Sequence, residues 1–370
     1  MTYTGFGNGS DGAATLSGTD APIDSACTGT AGNVSLTATN ASFAADKLIL
    51  IHQTRGTGAG NYEINIIDSY STGTITTQFD LINTYASGAQ VVQLKEYSQV
   101  TVSGTFTAKA YDTTVGGILG FLCSGDTNIS GTLTASGKGF VGGAGGSGGG
   151  DTGVQGYSYG GAGSASTSAN SGGGGGGRRD PTNGVWSAGA AGGGGGYASS
   201  GSNGGWIGGA NIGTPGSGGS SYGQADLSVL FFGSGGGGGG GDDSAGGGSG
   251  GAGGGIVFIL SERITVTGSI QANGIAGNGG GSGGGGAAGG SGGSGAGGSI
   301  YIATVQGVFG SGLVTATGGA ATLSQTYSNG GAGSDGRIRI VSCSHTGTTS
   351  PSASESIGGH DYCQSFISIY

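Results

Sequence analysis

The chain has 370 residues, of which 100 are glycine and only 4 proline, with 10 Lys or Arg against 19 Asp or Glu for a formal net charge of −9. Glycine runs at roughly four times its usual share and charge at about a third. The scarcity of proline and the lack of a Gly-X-Y period exclude collagen, while 34% hydrophobic and 8% charged residues exclude ordinary charged disorder.

An acidic balance also argues against binding nucleic acid through its phosphates and against docking on anionic lipid. The longest apolar run, from Ile256 to Leu260, is far below the ~18 residues of a membrane span. The chain opens Met1-Thr2-Tyr3-Thr4-Gly5 without the basic and apolar segments of a secretory leader. The expectation is export by a route other than Sec, or a trimmed form.

Residues 1–115 carry β-branched, turn-bounded segments. Examples are Lys47-Leu48-Ile49-Leu50-Ile51-His52, Tyr62-Glu63-Ile64-Asn65-Ile66-Ile67 and Gly73-Thr74-Ile75-Thr76-Thr77. They predict a small antiparallel N-terminal β domain used for attachment or assembly. Residues 116–342 read as a glycine-rich β-repeat domain, and 343–370 as a C-terminal tail. Cys343 paired with Cys363 would close a loop in that tail. The other reading of Cys27, Cys123, Cys343 and Cys363 is four buried free thiols, and no Cys/His spacing suggests zinc.

Four segments share a Ser/Thr-Gly step, an apolar residue, a spacer and Ala. They contain Ser103-Gly104-Thr105-Phe106-Thr107-Ala108, Ser130-Gly131-Thr132-Leu133-Thr134-Ala135, Thr267-Gly268-Ser269-Ile270-Gln271-Ala272 and Ser311-Gly312-Leu313-Val314-Thr315-Ala316. In a strand, residues two apart share a face. Ile264, Val266, Gly268, Ile270 and Ala272 therefore fall on one face, and Thr265, Thr267, Ser269, Gln271 and Asn273 on the other. A slip of one residue would expose every apolar group. The last three copies follow a second strand, as in Gly116-Gly117-Ile118-Leu119-Gly120-Phe121-Leu122 and Gly254-Gly255-Ile256-Val257-Phe258-Ile259-Leu260. Such units cannot bury their faces alone and must stack. The fold class predicted is all-β: solenoid- or sandwich-like strand repeats.

The repeats are interrupted by glycine tracts such as 172–177, 192–196 and 235–241, with a further tract over about 277–298. One reading is flexible linker. The alternative is a packed bundle of polyglycine II helices, with three residues per turn and no internal hydrogen bonds. Neighbouring chains then pair their backbones, and Cβ atoms are excluded by close approach. Ordering glycine is costly, so nearly every backbone group must be paired.

Evidence for catalysis is thin. His52, His345 and His360 are scattered and define no triad. Glu63 and Asp68 are the candidate glycan-hydrolase carboxylates, with a solvated strand face as the plainer reading. Asp242-Asp243 suits either calcium or a capped turn. No catalytic residue, metal or cofactor is expected. The inserts between glycine runs hold Tyr157, Tyr159, Arg178, Arg179, Trp186, Tyr197, Trp206 and Tyr222, the candidate receptor-binding residues. Their plainer reading is that the rings plug gaps beside the glycine chains. Leu227 to Phe232 is expected to be a buried strand.

Over residues 138–300, glycine runs with short aromatic inserts resemble the polyglycine II sandwich adhesins at the tips of phage long tail fibres. The strand units are also similar to glycine-rich β-repeat proteins of bacterial surfaces. The first resemblance implies host-receptor binding through loops between glycine helices. The second implies an extracellular structural or adhesive role. The leading expectation is a virion fibre, spike or decoration protein on the particle surface, since lysis releases virions without a leader. Its partners would be a host-surface glycan or outer-surface protein, other subunits through the N-terminal domain, and further copies of itself. The alternatives are a secreted bacterial adhesin or filament subunit and a polysaccharide-degrading β-helix enzyme.

Overall fold

The computed structural model describes residues 5–179, 188–205, 213–284, 287–323 and 328–358. No α-helix occurs among them. The chain starts with β1 (Ala13–Thr15) and β2 (Gly18–Thr19). It then builds β3 (Asp24–Gly29), β4 (Ser35–Ala38), β5 (Leu48–Gln53), β6 (Tyr62–Ser71), β7 (Thr74–Thr77) and β8 (Tyr85–Gln93). These six strands close into an antiparallel barrel in the order β3-β4-β7-β6-β5-β8. Ile49, Ile51, Ile67, Ile75, Tyr85 and Val91 fill its interior. Leu48 and Leu50 of β5 alternate outward into a second core.

After β9 (Lys95–Tyr97) come paired segments separated by one sharp step: β10 (Gln99–Val102) with β11 (Thr105–Thr107), and β12 (Ile118–Ile129) with β13 (Thr132–Thr134). Two short strands of the glycine region, β14 (Arg178–Arg179) and β15 (Gly213–Thr214), form a separate antiparallel pair. Next come β16 (Ile256–Val266) and β17 (Ser269–Gln271), β18 (Ser299–Thr315), β19 (Arg337–Ser350) and β20 (Ser354–Ile357). The long strands stack in parallel as β1-β10-β12-β16-β18-β19-β20, and the short ones as β2-β11-β13-β17 against the end of β18. Strands β1 and β2 thus belong to this sheet, and the barrel is inserted between β2 and β9.

The repeat register read from the sequence holds in the first three copies; in the fourth, register shifts after Val308 leave Val308 exposed and turn Phe309 into the core before Val314 rejoins the rank. Val102 pairs with Ile129 and Ile129 with Val266, while Phe106, Leu133, Ile270 and Val314 stand in one rank. The predicted apolar face is the core: Val102, Phe106, Ile129, Leu133, Val257, Ile259, Ile264 and Ile270 pack together. At the second and third copies the step needs glycine because stacked corners approach too closely for a side chain, whereas Gly104 and Gly312 at the outer copies have open space. A Cβ on Gly131 would strike the Gly104 carbonyl, and one on Gly268 the Gly131 carbonyl.

The structure differs from expectation in a further respect here. The first predicted strand of each unit runs unbroken into the start of the second, bent in β12 by a register shift between Cys123 and Asp126, and in the second and third copies the repeat segment is itself broken at its Ser/Thr-Gly step, where β13 and β17 begin anew. The first half of β16 is buried on both faces. Val257 and Ile259 face the parallel core; Ile256, Phe258 and Leu260 face the barrel's Leu48, Leu50 and Tyr62. Double burial explains the unbroken apolar run.

Among the described residues the glycine tracts have no α-helix and only isolated bridges such as Asn170 with Gly173, yet their backbones are hydrogen-bonded. The buried tract 233–241 is central. Its N–H groups point three ways with a period of three. Those of Gly233, Gly236 and Gly239 donate to Gly254, Gly251 and Gly248; those of Gly237 and Gly240 to Gly193 and Ala190; those of Gly235, Gly238 and Gly241 to Tyr157, Val154 and Asp151. Its carbonyls accept from Phe140, Gly143 and Gly146, from Gly174 and Gly177, and from Gly293 and Gly290. Six segments therefore surround it, at N···O distances of 2.8–3.3 Å. A side chain has no room: a Cβ on Gly236, Gly237 or Gly239 would overlap the carbonyl of Gly293, Gly175 or Gly290.

Leu227, Leu230 and Phe232 are buried as expected, but not in a strand. This segment is wedged between barrel and sheet, and its polar groups pair locally. The Leu230 N–H donates to Gly60 O at 2.8 Å, and His52 Nε2 binds Leu230 O at 2.9 Å.

Candidate functional site

The glycine array has two unlike ends. At the near end its tracts join the sheet, as Gly255 leads into β16, Gly298 into β18 and Gly336 into β19. At the far end they turn back. The turn 242–245 is closed by two backbone bonds between Asp242 and Ala245. It meets Gly284, whose N–H donates to Ser244 Oγ at 3.1 Å, and Ala288, whose N–H donates to Asp242 Oδ2 at 3.2 Å. The Gly205 N–H donates to Asn329 O at 2.9 Å.

Of the sequence candidates, Trp186, Trp206 and Cys363, expected to pair with Cys343, lie outside the described residues, as does His360. The described residues flanking the tryptophans, Arg179 and Ala188, Gly205 and Gly213, are at the far end. Cys343 is disulfide-bonded, whereas Cys27 and Cys123 are buried free thiols.

The tyrosines gather at the near end. Tyr197 is fully buried and stacks on Tyr222 with centroids 4.8 Å apart; Tyr159 lies 4.8 Å from Tyr222 and Phe231 5.0 Å from it. The Tyr197 hydroxyl lies 2.7 Å from Ser299 Oγ, and the Tyr222 hydroxyl donates to Phe232 O at 2.7 Å. The Arg337 guanidinium sits 5.3 Å from the Tyr197 ring centroid. Burial pushes the Tyr197 hydroxyl up to about 12 and Tyr222 well above its ordinary value. Tyr157 packs half-buried on the core shared by barrel and sheet. The gap-plugging reading describes these rings: Tyr197 in particular offers no surface to a ligand in this structure.

The two arginines part company. Arg178 is exposed, whereas Arg179 holds Asp242 through Nε at 3.0 Å and Asp243 through Nη1 at 2.8 Å. The Asp242-Asp243 pair therefore caps a turn and binds an arginine. Glu63 is buried and accepts the Ile82 N–H at 2.8 Å, while Asp68 is exposed, so these carboxylates do not share one environment.

Sequence reasoning missed His52. It is fully buried where barrel, sheet and array meet, with Nδ1 3.0 Å from Thr54 Oγ1, which in turn accepts from Gln90 Nε2 at 2.9 Å. Burial, opposed in part by the bond to Leu230 O, pushes its pKa down to about 4. Its only signal in the sequence was a histidine at the end of an apolar strand.

No family model matches the chain, and no curated protein does. Among solved structures, the tailspike protein gp49 from Pseudomonas phage LKA1 aligns with a TM-score of 0.19 and 8% identity, covering 92% of this chain. The chain spans 64% of that tailspike's length. A likeness this small carries no argument about fold or function.

Proposed function

We propose that this chain is a structural, virion-associated fibre, spike or decoration protein that binds a host surface. In this reading the tracts are polyglycine II helices and the stacked strand pairs a short parallel solenoid. The period of three in the hydrogen bonds supports the first assignment. The parallel ranks of Phe106, Leu133, Ile270 and Val314 support the second.

The observation that carries the functional reading is that the turn 242–245 stands at the end of the array away from the barrel, whereas near-end turns such as 158–161 pack on the barrel, where the Gly56 N–H donates to Tyr159 O. A rigid body with irregular segments on one tip suits recognition. The barrel, at the other end, would join neighbouring subunits or a second copy. The ligand would be a host-surface glycan or outer-surface protein, and the protein would act outside the cell.

Immunogold microscopy with antibodies against the barrel and against residues 242–245 tests the arrangement. The expected result is label on particles, with the barrel epitope inward and the turn epitope outward. Label confined to cell interiors, or the reverse orientation, would refute it. Trp186→Ala with Trp206→Ala is expected to abolish attachment to host cells without changing the fold. Undiminished attachment would remove those two residues from the proposal.

A further inference from the structure

The far end carries a buried charge that the packing of glycine does not require. Asp242, fully buried, ends the central tract. The Arg179 side chain, 15% exposed, reaches it from the end of another tract and also holds Asp243. Asp242 Oδ2 takes the Ala288 N–H at 3.2 Å, so a third segment is tied to the same carboxylate. Arg179 also lies over Gly150, where an added Cβ would come within 3.2 Å of its Cδ. Through its backbone, Arg179 pairs with Gly213 of β15. Breaking such a buried pair leaves an uncompensated charge, which is costly, and lysine cannot reproduce the planar fork that engages two carboxylates.

We infer that Arg179 is a positioning residue: its guanidinium ties the turn 242–245 to the segment 178–179 through Asp242 and Asp243 and, by fixing the Asp242 carboxylate, holds the segment at 287–288 as well. Arg178, its exposed neighbour, is the arginine that faces outward. The consequence for ligand recognition rests on the functional reading above, but the test does not.

Amide hydrogen exchange on the intact chain compares wild type with Arg179→Gln, Arg179→Lys and Arg178→Gln. In R179Q the amides of Ala245 and Ala288 are expected to exchange about tenfold faster, while those of Gly236 to Gly240 keep their rates within about twofold. R179K should fall between, and R178Q should match wild type. Unchanged rates at Ala245 and Ala288, or equal acceleration in the interior tract, would overturn the inference. If R179Q does not fold, R179K is read by the same comparison. Absence of host attachment by the wild-type chain would sink the recognition reading and leave these rates as they are.

Discussion

At Gly239 an added Cβ would meet the Gly290 carbonyl. At Gly279 it would meet nothing within 4 Å. Gly239→Ala is therefore expected to destabilise by about 1–3 kcal/mol or more through overpacking. Gly279→Ala should stay within about 0.5 kcal/mol of wild type. Urea midpoints measure both; equal effects would mean that the tract is not packed as described. Titration gives a second expectation. His52 titrates at about 4 when folded, against 6.5 unfolded, so the unfolded chain binds more protons between those values. Stability should fall as pH drops through that window, by up to about 3 kcal/mol. Asp20, raised mainly by burial to about 6, acts in the opposite sense: its folded form holds the proton more tightly, so acidification through 6 adds stability. Asp20→Asn removes that offset and should steepen the loss of stability below pH 6. A flatter profile in D20N would show that the assignment is wrong.

The strand repeats illustrate what was legible. A period of two with glycine at a fixed step gave register and core face together, because a one-residue slip reverses the faces. Ile270 is fully buried in the rank with Leu133 and Val314, while Gln271 points away from that core. Ile270→Ala should cost about 2–5 kcal/mol and Gln271→Ala less than about 0.5 kcal/mol, read by chemical denaturation. The reverse order would place the register one residue off. Barrel closure was not legible, since neighbours such as β4 and β7 are set by non-local pairing rather than by local pattern. Nor was the merging of strands in β12 and β16, because a run buried on both faces shows no alternation to mark its continuity. The aromatic inserts read equally well as ligand contacts or as plugs. Only their neighbours decide, and for Tyr197 these are Tyr222, Phe231 and Ser299.

For the whole molecule, three large cores follow one another: the barrel interior, the barrel against the parallel sheet, and the inner face of that sheet, where its long and short strands meet. The glycine array adds almost no apolar side chains and is held by its backbone. Its interior amides should consequently exchange as slowly as those of Val257 to Ile259 in β16, although composition alone would class the tract as linker. Exchange of Gly236 to Gly240 at random-coil rates, with β16 protected, would remove the basis for the array.

Contacts made by backbone atoms alone impose a rule on length. Because partners along the central tract recur at every third residue, two adjoining tracts lengthened together by three residues would keep each donor aimed at its partner. One or two added residues would rotate the chain and misdirect all of them. The body could thus be extended in whole turns, provided the extension leaves the turn 242–245 still held by Arg179 and Ala288 at its tip.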